Sequence, residues 1–295
     1  MKPRILDSGA HALYNLMQKK HKGGKLNYSD YKSKEFWSYC DSYAAFIKKY
    51  GYLFDGGYIT VDAIRNPRIS WQVQKYLEEE HGLNPIPVIH FGTHEKWLQK
   101  YLDAGYDYIG LGGSIERKPY TPWADRMWDI ICDTPNRLPI CKVHGFAQTK
   151  VQIMVRYPWF SVDSVTSKKM AYYSQIIMPS RISGKYSWNT RFLSIFMDDV
   201  SPYTERNSVG KGRHFSHLSP PEKQSLKDWL DFIEVPLGER RNDGTIRKLG
   251  VTNSKQERVA ANIKFLQWIE SKVPKWPWSY LPEKSGHRKS LEGLI

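Results

Sequence analysis

Short β-rich runs alternate with stretches of helical period along the first half of the chain, and this alternation limits the fold more than any other feature of the sequence. The runs cover residues 4–7, 58–62, 86–91, 108–112, 140–145 and 159–163. Between them the periodicity predicts helices over residues 35–50, 70–81, 93–104, 123–132 and 149–156, with Trp97, Leu98, Tyr101 and Leu102 recurring at helical spacing ahead of Gly105. Strand alternating with helix builds βα units, and βα units stack into a parallel sheet.

The position of the reactive side chains chooses among parallel architectures. Asp7, Asp62, His90, Gly112 with Gly113, His144 and Asp163 fall at or just before the C-terminal ends of six successive predicted strands. In a (β/α)₈ barrel those ends meet at one mouth, where the active site lies. A doubly wound sheet concentrates its polar signals at one crevice, usually with a phosphate-binding glycine loop, and Gly110-Leu-Gly-Gly113 lacks the G-x-G-x-x-G spacing. The expected fold class is therefore α/β, a TIM-like (β/α)₈ barrel over residues 1–199, incomplete or divergent. Residues 174–178 and 191–197 are weaker candidates for its remaining strands. Prolines and glycines break the pattern from about residue 200. Residues 200–295 are expected to form a basic helical extension packed on the barrel, with helices over 221–234 and 254–272 and a basic loop over 239–248.

Charge narrows the partners. The chain of 295 residues carries 44 Lys and Arg against 30 Asp and Glu, a net charge of +14. Residues 1–50 hold 10 basic and 4 acidic side chains, residues 51–140 hold 9 and 12, and residues 141–295 hold 25 and 14. A near-neutral middle between basic ends suits a polyanion such as nucleic acid, although a basic surface also serves solubility. Trp and Tyr interleave with Lys over residues 272–280, a pattern for base stacking beside phosphate contacts, or equally for a tail packed on the core. No apolar run approaches the roughly 20 residues of a membrane helix, and no signal-peptide core follows Met1. A soluble, cytoplasmic protein without membrane contact is expected. Cys40, Cys132 and Cys141 are too few and too scattered for a disulfide framework or a four-cysteine zinc site.

Two carboxylates at a barrel mouth are suited to breaking a glycosidic bond: one attacks the anomeric carbon or steadies an oxocarbenium ion, and the other handles protons. Asp163, at the exit of a hydrophobic strand, is expected to be held rigidly and partly desolvated, as a nucleophile requires. Asp7, in Asp7-Ser-Gly-Ala-His11, is the second carboxylate. Each has a plainer reading as a strand-end residue that shapes the following turn.

The motifs Asp7-Ser-Gly-Ala-His11, Val61-Asp62, Pro87-Val-Ile-His90, Gly110-Leu-Gly-Gly113, His144-Gly-Phe146 and Val162-Asp163-Ser-Val165 carry a family resemblance. In order and approximate interval they resemble the active-site motifs of the queuine tRNA-ribosyltransferase (tRNA-guanine transglycosylase) superfamily. They look most like its DpdA-type branch of phage and bacterial DNA-guanine transglycosylases. The resemblance covers a little over half of the chain. It implies that Asp163 is the nucleophile and Asp7 the general base, with Ser8 and His11 beside the base. It also implies that Asp62 reads the guanine edge, that His90 stands near the family's recognition Gln, that Gly112 and Gly113 let the base approach, and that His144 floors the pocket.

The same resemblance implies a base exchange without redox chemistry or a cofactor, in which a 7-deazaguanine replaces guanine. DNA is the expected partner and RNA the alternative. The tRNA enzymes carry a Cys-x-Cys-x-x-Cys zinc site that nothing after Cys141 can supply. They also have barrel strands upstream of the Asp-Ser-Gly motif, whereas that motif here lies at the start of the chain. Both departures suit a divergent substrate, and no metal site is expected. Arg181, Lys185, Arg191, Arg240 and Arg241 are the candidate phosphate contacts. Two readings from other classes remain open: a metal-dependent hydrolase using Asp7, His11, His90, His94, His144 and Asp163, and a non-catalytic nucleic-acid-binding barrel.

Overall fold

The computed structural model describes residues 3–20, 26–113, 120–148, 150–163, 165–199 and 213–281. The chain groups into two compact units. Among the described residues, the first comprises those of 3–148, 156–163 and 275–281, and the second those of 150–155 and 165–274. The boundary expected near residue 200 therefore falls inside the second unit.

The first unit is mixed α/β and contains a four-stranded parallel sheet, β1 (Val88–His90), β2 (Tyr108–Gly112), β3 (Lys142–Gly145) and β4 (Ser161–Val162), in that order. Two isolated parallel bridges, Leu6 with Tyr58 and Ile59 with Ile86, continue the pairing on the β1 side. Six parallel segments thus lie side by side in chain order. The run at residues 4–7 contributes only the Leu6 bridge and that at 58–62 only Tyr58 and Ile59, so both are shorter than the sequence predicts. Residues 109–112 of β2 are all buried, which fits a strand covered on both faces.

Helices connect these segments: α1 (Ala10–Lys20), α2 (Lys34–Tyr50), α3 (Pro67–Glu79), α4 (Lys96–Asp103) and α5 (Thr121–Ile131). Local chemistry explains where they begin. The Ser33 hydroxyl accepts the Phe36 N–H at the start of α2, and the Asn66 side chain accepts the Ile69 N–H at the start of α3, with Pro67 in the first turn. Along α2 the buried residues Phe36, Cys40, Tyr43, Ala44 and Ile47 form one stripe. That stripe packs with Leu13 and Met17 of α1, Ile69, Val73 and Leu77 of α3, and Val61. The sequence reading left α1 out; it buries only Ala10, Leu13 and Met17 and leaves the apolar Leu16 exposed. The three cysteines are free and buried, and burial pushes each thiol up to about 12.

The tail returns to this unit. Tyr280 is fully buried, with its ring against Trp128 and Tyr157 and its hydroxyl donating to Asp125 over 3.0 Å. Trp276 meets Phe160 edge to face. Of the two readings of residues 272–280, packing on the core is the observed one.

In the second unit, α6 (Val151–Arg156, its last residue in the first unit) and α7 (Thr166–Tyr172) precede a hairpin of β5 (Gln175–Ile182) and β6 (Lys185–Phe196), and β7 (Arg213–His214) joins β6. β5 and β6 run antiparallel, Gln175 opposite Phe196 and Ile177 opposite Ser194. Residues 174–178 and 191–197 are therefore not further strands of the parallel sheet. A tight turn at Ser183-Gly184, both at positive φ, folds them onto each other. α8 (Pro220–Phe232) and α9 (Lys255–Glu270) match the two predicted helices closely. The basic loop between them is a small hairpin, β8 (Glu239–Arg240) with β9 (Ile246–Lys248). The part expected to be a helical extension thus carries strands as well. Asn262 of α9 is fully buried; it donates to the Ser167 and Gln175 carbonyls and accepts the Ile177 N–H, fixing α9 to α7 and β5.

Candidate active site

Because the six segments are parallel and in chain order, their C-terminal ends share one edge of the sheet. Asp7 follows Leu6, Asp62 follows the Ile59 bridge, His90 and Gly112 end β1 and β2, His144 precedes the last residue of β3, and Asp163 follows β4. The register is explicit. His90 lies beside Gly112, while Gly110, His144 and Ser161 form one row across β2, β3 and β4.

Asp163 is held through its backbone and its carboxylate. Its N–H donates to the Gly145 carbonyl over 3.1 Å, and its Oδ1 accepts the Ala147 N–H over 2.7 Å. Ala147 adopts φ +57, a conformation that side-chain-bearing residues rarely take. The Asp163 side chain is 55% exposed, so it sits at the rim with just under half of its surface covered. Next to it, His144 is buried, and its Nε2 lies 3.9 Å from Asp163 Oδ1. On its other side, Nδ1 lies 2.8 Å from the Ser161 hydroxyl, which lies 2.8 Å from the Tyr108 hydroxyl. Burial lowers the His144 pKa below the ordinary histidine value, against the opposing charges of Asp163 and Asp7. Both carboxylates therefore act on the same imidazole.

Asp7 is exposed and shapes its turn, Oδ1 accepting the Gly9 N–H over 3.3 Å. The Tyr39 hydroxyl donates to the Ser8 carbonyl over 2.7 Å, and Gly9 at φ +71 leaves room for that ring. Ser8 itself is buried, accepting the Ala10 N–H at 3.4 Å where α1 begins. His11 is exposed on α1, with Nδ1 3.3 Å from the Asn15 amide of the same helix.

Asp62 is buried, and its Oδ2 pairs with Nε2 of His90. The His90 ring lies over Gly112, where a Cβ would come within 3.4 Å of Nδ1. Gly113 is at φ +86, and a Cβ there would fall 2.7 Å from Cβ of Phe91. At Gly110 a Cβ would meet the Phe146 ring at 2.6 Å. The glycine run thus admits two rings, His90 and Phe146, against the strand. Phe146 also packs edge to face on His144, with centroids 4.6 Å apart.

The candidate phosphate contacts belong to the second unit. Arg181 pairs with Asp228 at 2.6 Å, and Arg240 binds both oxygens of Asp199 at 2.8 and 3.0 Å. Lys185 and Arg241 are exposed, Arg241 reaching the Thr245 hydroxyl at 3.3 Å. The Arg191 side chain lies outside what is described. Among the described residues no group of three or more His, Cys, Asp or Glu side chains is gathered to hold a metal ion. His94, part of the hydrolase reading, has its side chain 72% exposed beside Glu95. Among the described residues no helix is long and apolar enough to cross a membrane. Two surface depressions of about 550 and 500 Å³, lined by Tyr28, Trp37 and Trp71 and by Gln99, Ile130 and Arg137 among others, include none of the strand-end residues.

The sequence reading missed Tyr108, Ser161, Phe146 and Ala147. Tyr108 and Ser161 begin their strands, where a search of strand ends does not look. Phe146 was legible only as part of the His144-Gly-Phe146 motif, and Ala147 acts through its backbone, which sequence does not advertise. Compared with known proteins, the chain matches no family model and no curated protein.

Proposed function

We propose that this protein is a DNA-guanine transglycosylase that exchanges guanine in DNA for a 7-deazaguanine base, working on a TIM-like (β/α)₈ barrel to which the six parallel segments belong. The observation that carries the reading is the placement of Asp7, Asp62, His90, Gly112, His144 and Asp163 along one edge of sequentially ordered parallel segments. A doubly wound sheet reverses its strand order at a switch point, whereas a barrel does not. Six segments without reversal favour the barrel.

In the proposed reaction Asp163 attacks C1′ of a target deoxyguanosine. The C1′–N9 bond breaks, guanine leaves and takes up a proton, and an aspartyl–C1′ ester remains. The incoming 7-deazaguanine gives its N9 proton to Asp7, its N9 attacks C1′, and the ester bond breaks to restore the Asp163 carboxylate. Two inversions restore the β-configuration. No atom changes oxidation state, so the exchange calls for no redox cofactor. Asp62 and His90 supply an acceptor and a ring nitrogen to the purine edge, where the N1–H and N2–H donors of guanine suit a carboxylate. In duplex DNA the target nucleotide has to leave the stack, at a cost of a few kcal/mol, and the basic surface offers phosphate contacts that hold the strand while it does.

The test is mass spectrometry of nucleosides from DNA, and separately from tRNA, incubated with the protein and candidate 7-deazaguanines. Exchange in DNA, lost in Asp163→Ala together with any denaturation-resistant protein–DNA adduct, is the expected result. Exchange in tRNA alone would move the activity to RNA. No exchange in either nucleic acid would overturn the reading.

A further inference from the structure

Three side chains from three neighbouring strands form a hydrogen-bonded chain that ends beside Asp163. Tyr108 opens β2, Ser161 opens β4, and His144 lies between them on β3, directly opposite Ser161 in the register. The links from Tyr108 hydroxyl to Ser161 hydroxyl and from Ser161 hydroxyl to His144 Nδ1 are both 2.8 Å. We propose that His144 is a positioning residue for the Asp163 carboxylate, held by Tyr108 and Ser161 in the tautomer that carries its proton on Nε2. The transglycosylase reading is needed only for what Asp163 then does.

The chain can be protonated in two directions, and electrostatics selects one. In the first, Tyr108 donates to Ser161 and Ser161 donates to Nδ1, which leaves the imidazole proton on Nε2, facing Asp163 Oδ1 at 3.9 Å. In the second, Nδ1–H donates to Ser161 and Ser161 donates to Tyr108, which turns the Nε2 lone pair toward a carboxylate. The partial negative charge of that lone pair, on a buried ring held facing a carboxylate, makes the second arrangement costly. A protonated ring would satisfy Asp163 as well, but only 5% of the His144 side chain is exposed and burial disfavours the imidazolium. Burial also keeps the Tyr108 phenol protonated, so the first link of the chain keeps its donor.

The consequence concerns one carboxylate oxygen. Both the Ala147 N–H, at 2.7 Å, and the His144 Nε2 address Oδ1 of Asp163. Among the described residues no hydrogen bond reaches Oδ2. Oδ1 is the anchored oxygen and Oδ2 the one available to attack. A small rotation of the carboxylate brings Nε2–H into hydrogen-bond range, the kind of tightening common once substrate is bound. His144 then acts through Asp163 and needs no contact with the nucleotide.

Nuclear magnetic resonance of the full chain with ¹⁵N-labelled histidine reads the tautomer directly, His144 being assigned by the signal absent from His144→Gln. A neutral ring protonated at Nε2 at pH 7 is expected, changing to a mixture of tautomers in Ser161→Ala. A ring protonated at Nδ1, or an imidazolium, would overturn the proposal whatever the enzyme activity. In the base-exchange assay, Ser161→Ala, Tyr108→Phe and His144→Asn should lower kcat, His144→Asn by about 10- to 100-fold, with KM for the base within about twofold. His144→Gln, whose amide can donate from near the Nε2 position, should recover most of the loss. Tyr108→Phe removes only the outer hydroxyl and keeps the comparison valid if Ser161→Ala fails to fold. Unchanged kcat in Ser161→Ala and Tyr108→Phe would sink the positioning role. If the wild-type protein exchanges no base, the transglycosylase reading fails, and the tautomer still decides the His144 assignment.

Discussion

The carboxylate of Asp62 is paired with Nε2 of His90, joining the second and third parallel segments at their C-terminal ends. Both partners are shielded, the Asp62 side chain 6% exposed and the His90 side chain 20%. Removing the histidine leaves a buried carboxylate without this partner, so His90→Ala should destabilise the fold by about 1–3 kcal/mol in chemical denaturation. Asp62→Asn keeps the shape but gives up the charge-assisted acceptor. It should raise KM for the incoming base by about 10-fold or more, with a smaller effect on kcat. A KM unchanged in Asp62→Asn would remove Asp62 from base recognition.

Gly113 and Gly92 provide a matched pair for separating backbone conformation from crowding. Both have positive φ, +86 and +83, but only at Gly113 would a new Cβ collide, 2.7 Å from the Phe91 Cβ and 3.0 Å from its nitrogen. Gly92→Ala should cost about 1–2 kcal/mol, the left-handed penalty alone. Gly113→Ala should cost at least about 1 kcal/mol more and shift Phe91 against Tyr120 and Trp123, which it packs on. Equal losses in the two variants would show that the contact relaxes freely.

The parallel segments were legible because burial on both faces writes continuous apolar runs, as in Val88 and Ile89, and because the helices between them repeat at 3.6 residues. The hairpin of β5 and β6 was not. Residues 174–178 have the same apolar character as a barrel strand, and periodicity does not say which neighbour a strand will choose. The turn at Ser183-Gly184 decides it. At the rim, Asp7, Asp62, His90 and Asp163 were readable as strand-end polar residues. The Tyr108–Ser161–His144 chain was not, since it depends on register across three strands that are 19 and 34 residues apart in sequence, from Ser161 back to Lys142 and from Lys142 back to Tyr108.

Tyr280 tests the packing of the tail on the first unit. Its ring sits against Trp128 and Tyr157, its N–H donates to the Arg137 carbonyl at 2.8 Å and its hydroxyl to Asp125 at 3.0 Å. Tyr280→Ala should destabilise by about 3–5 kcal/mol, as for other buried aromatics. Tyr280→Phe, losing one hydrogen bond, should cost about 1 kcal/mol. Wild-type stability in Tyr280→Ala, measured by denaturant unfolding, would place the ring outside the core.

Asp125 gives the fold an acid limb. Burial raises its carboxyl pKa, but hydrogen bonds from Arg156 and Tyr157 outweigh it and hold the value below the usual carboxylate range. A depressed folded pKa stabilises the native state above the unfolded value of about 3.9, and that stability is lost as pH falls through the lower folded value. Asp125→Asn should lower stability at neutral pH and flatten its decline below about pH 4. An acid limb as steep in the variant as in the wild type would assign it to other carboxylates.

The basic residues of the second unit divide by what already holds them, and salt dependence can tell the two kinds apart. Arg181 and Arg240 are committed to Asp228 and Asp199, so a phosphate would have to compete with a carboxylate for either. Lys185, at the turn of the β5–β6 hairpin, and Arg241, at the turn of the β8–β9 hairpin, are exposed. Each phosphate contact releases about one counterion, so Lys185→Ala and Arg241→Ala should each reduce the slope of log binding constant against log salt by about 1. Arg181→Ala and Arg240→Ala should leave that slope closer to the wild-type value, because each removes a cation already neutralised within the protein. Fluorescence anisotropy with a labelled DNA duplex across a salt series gives the four slopes, and a larger change for the paired arginines than for Lys185 and Arg241 would reverse the assignment.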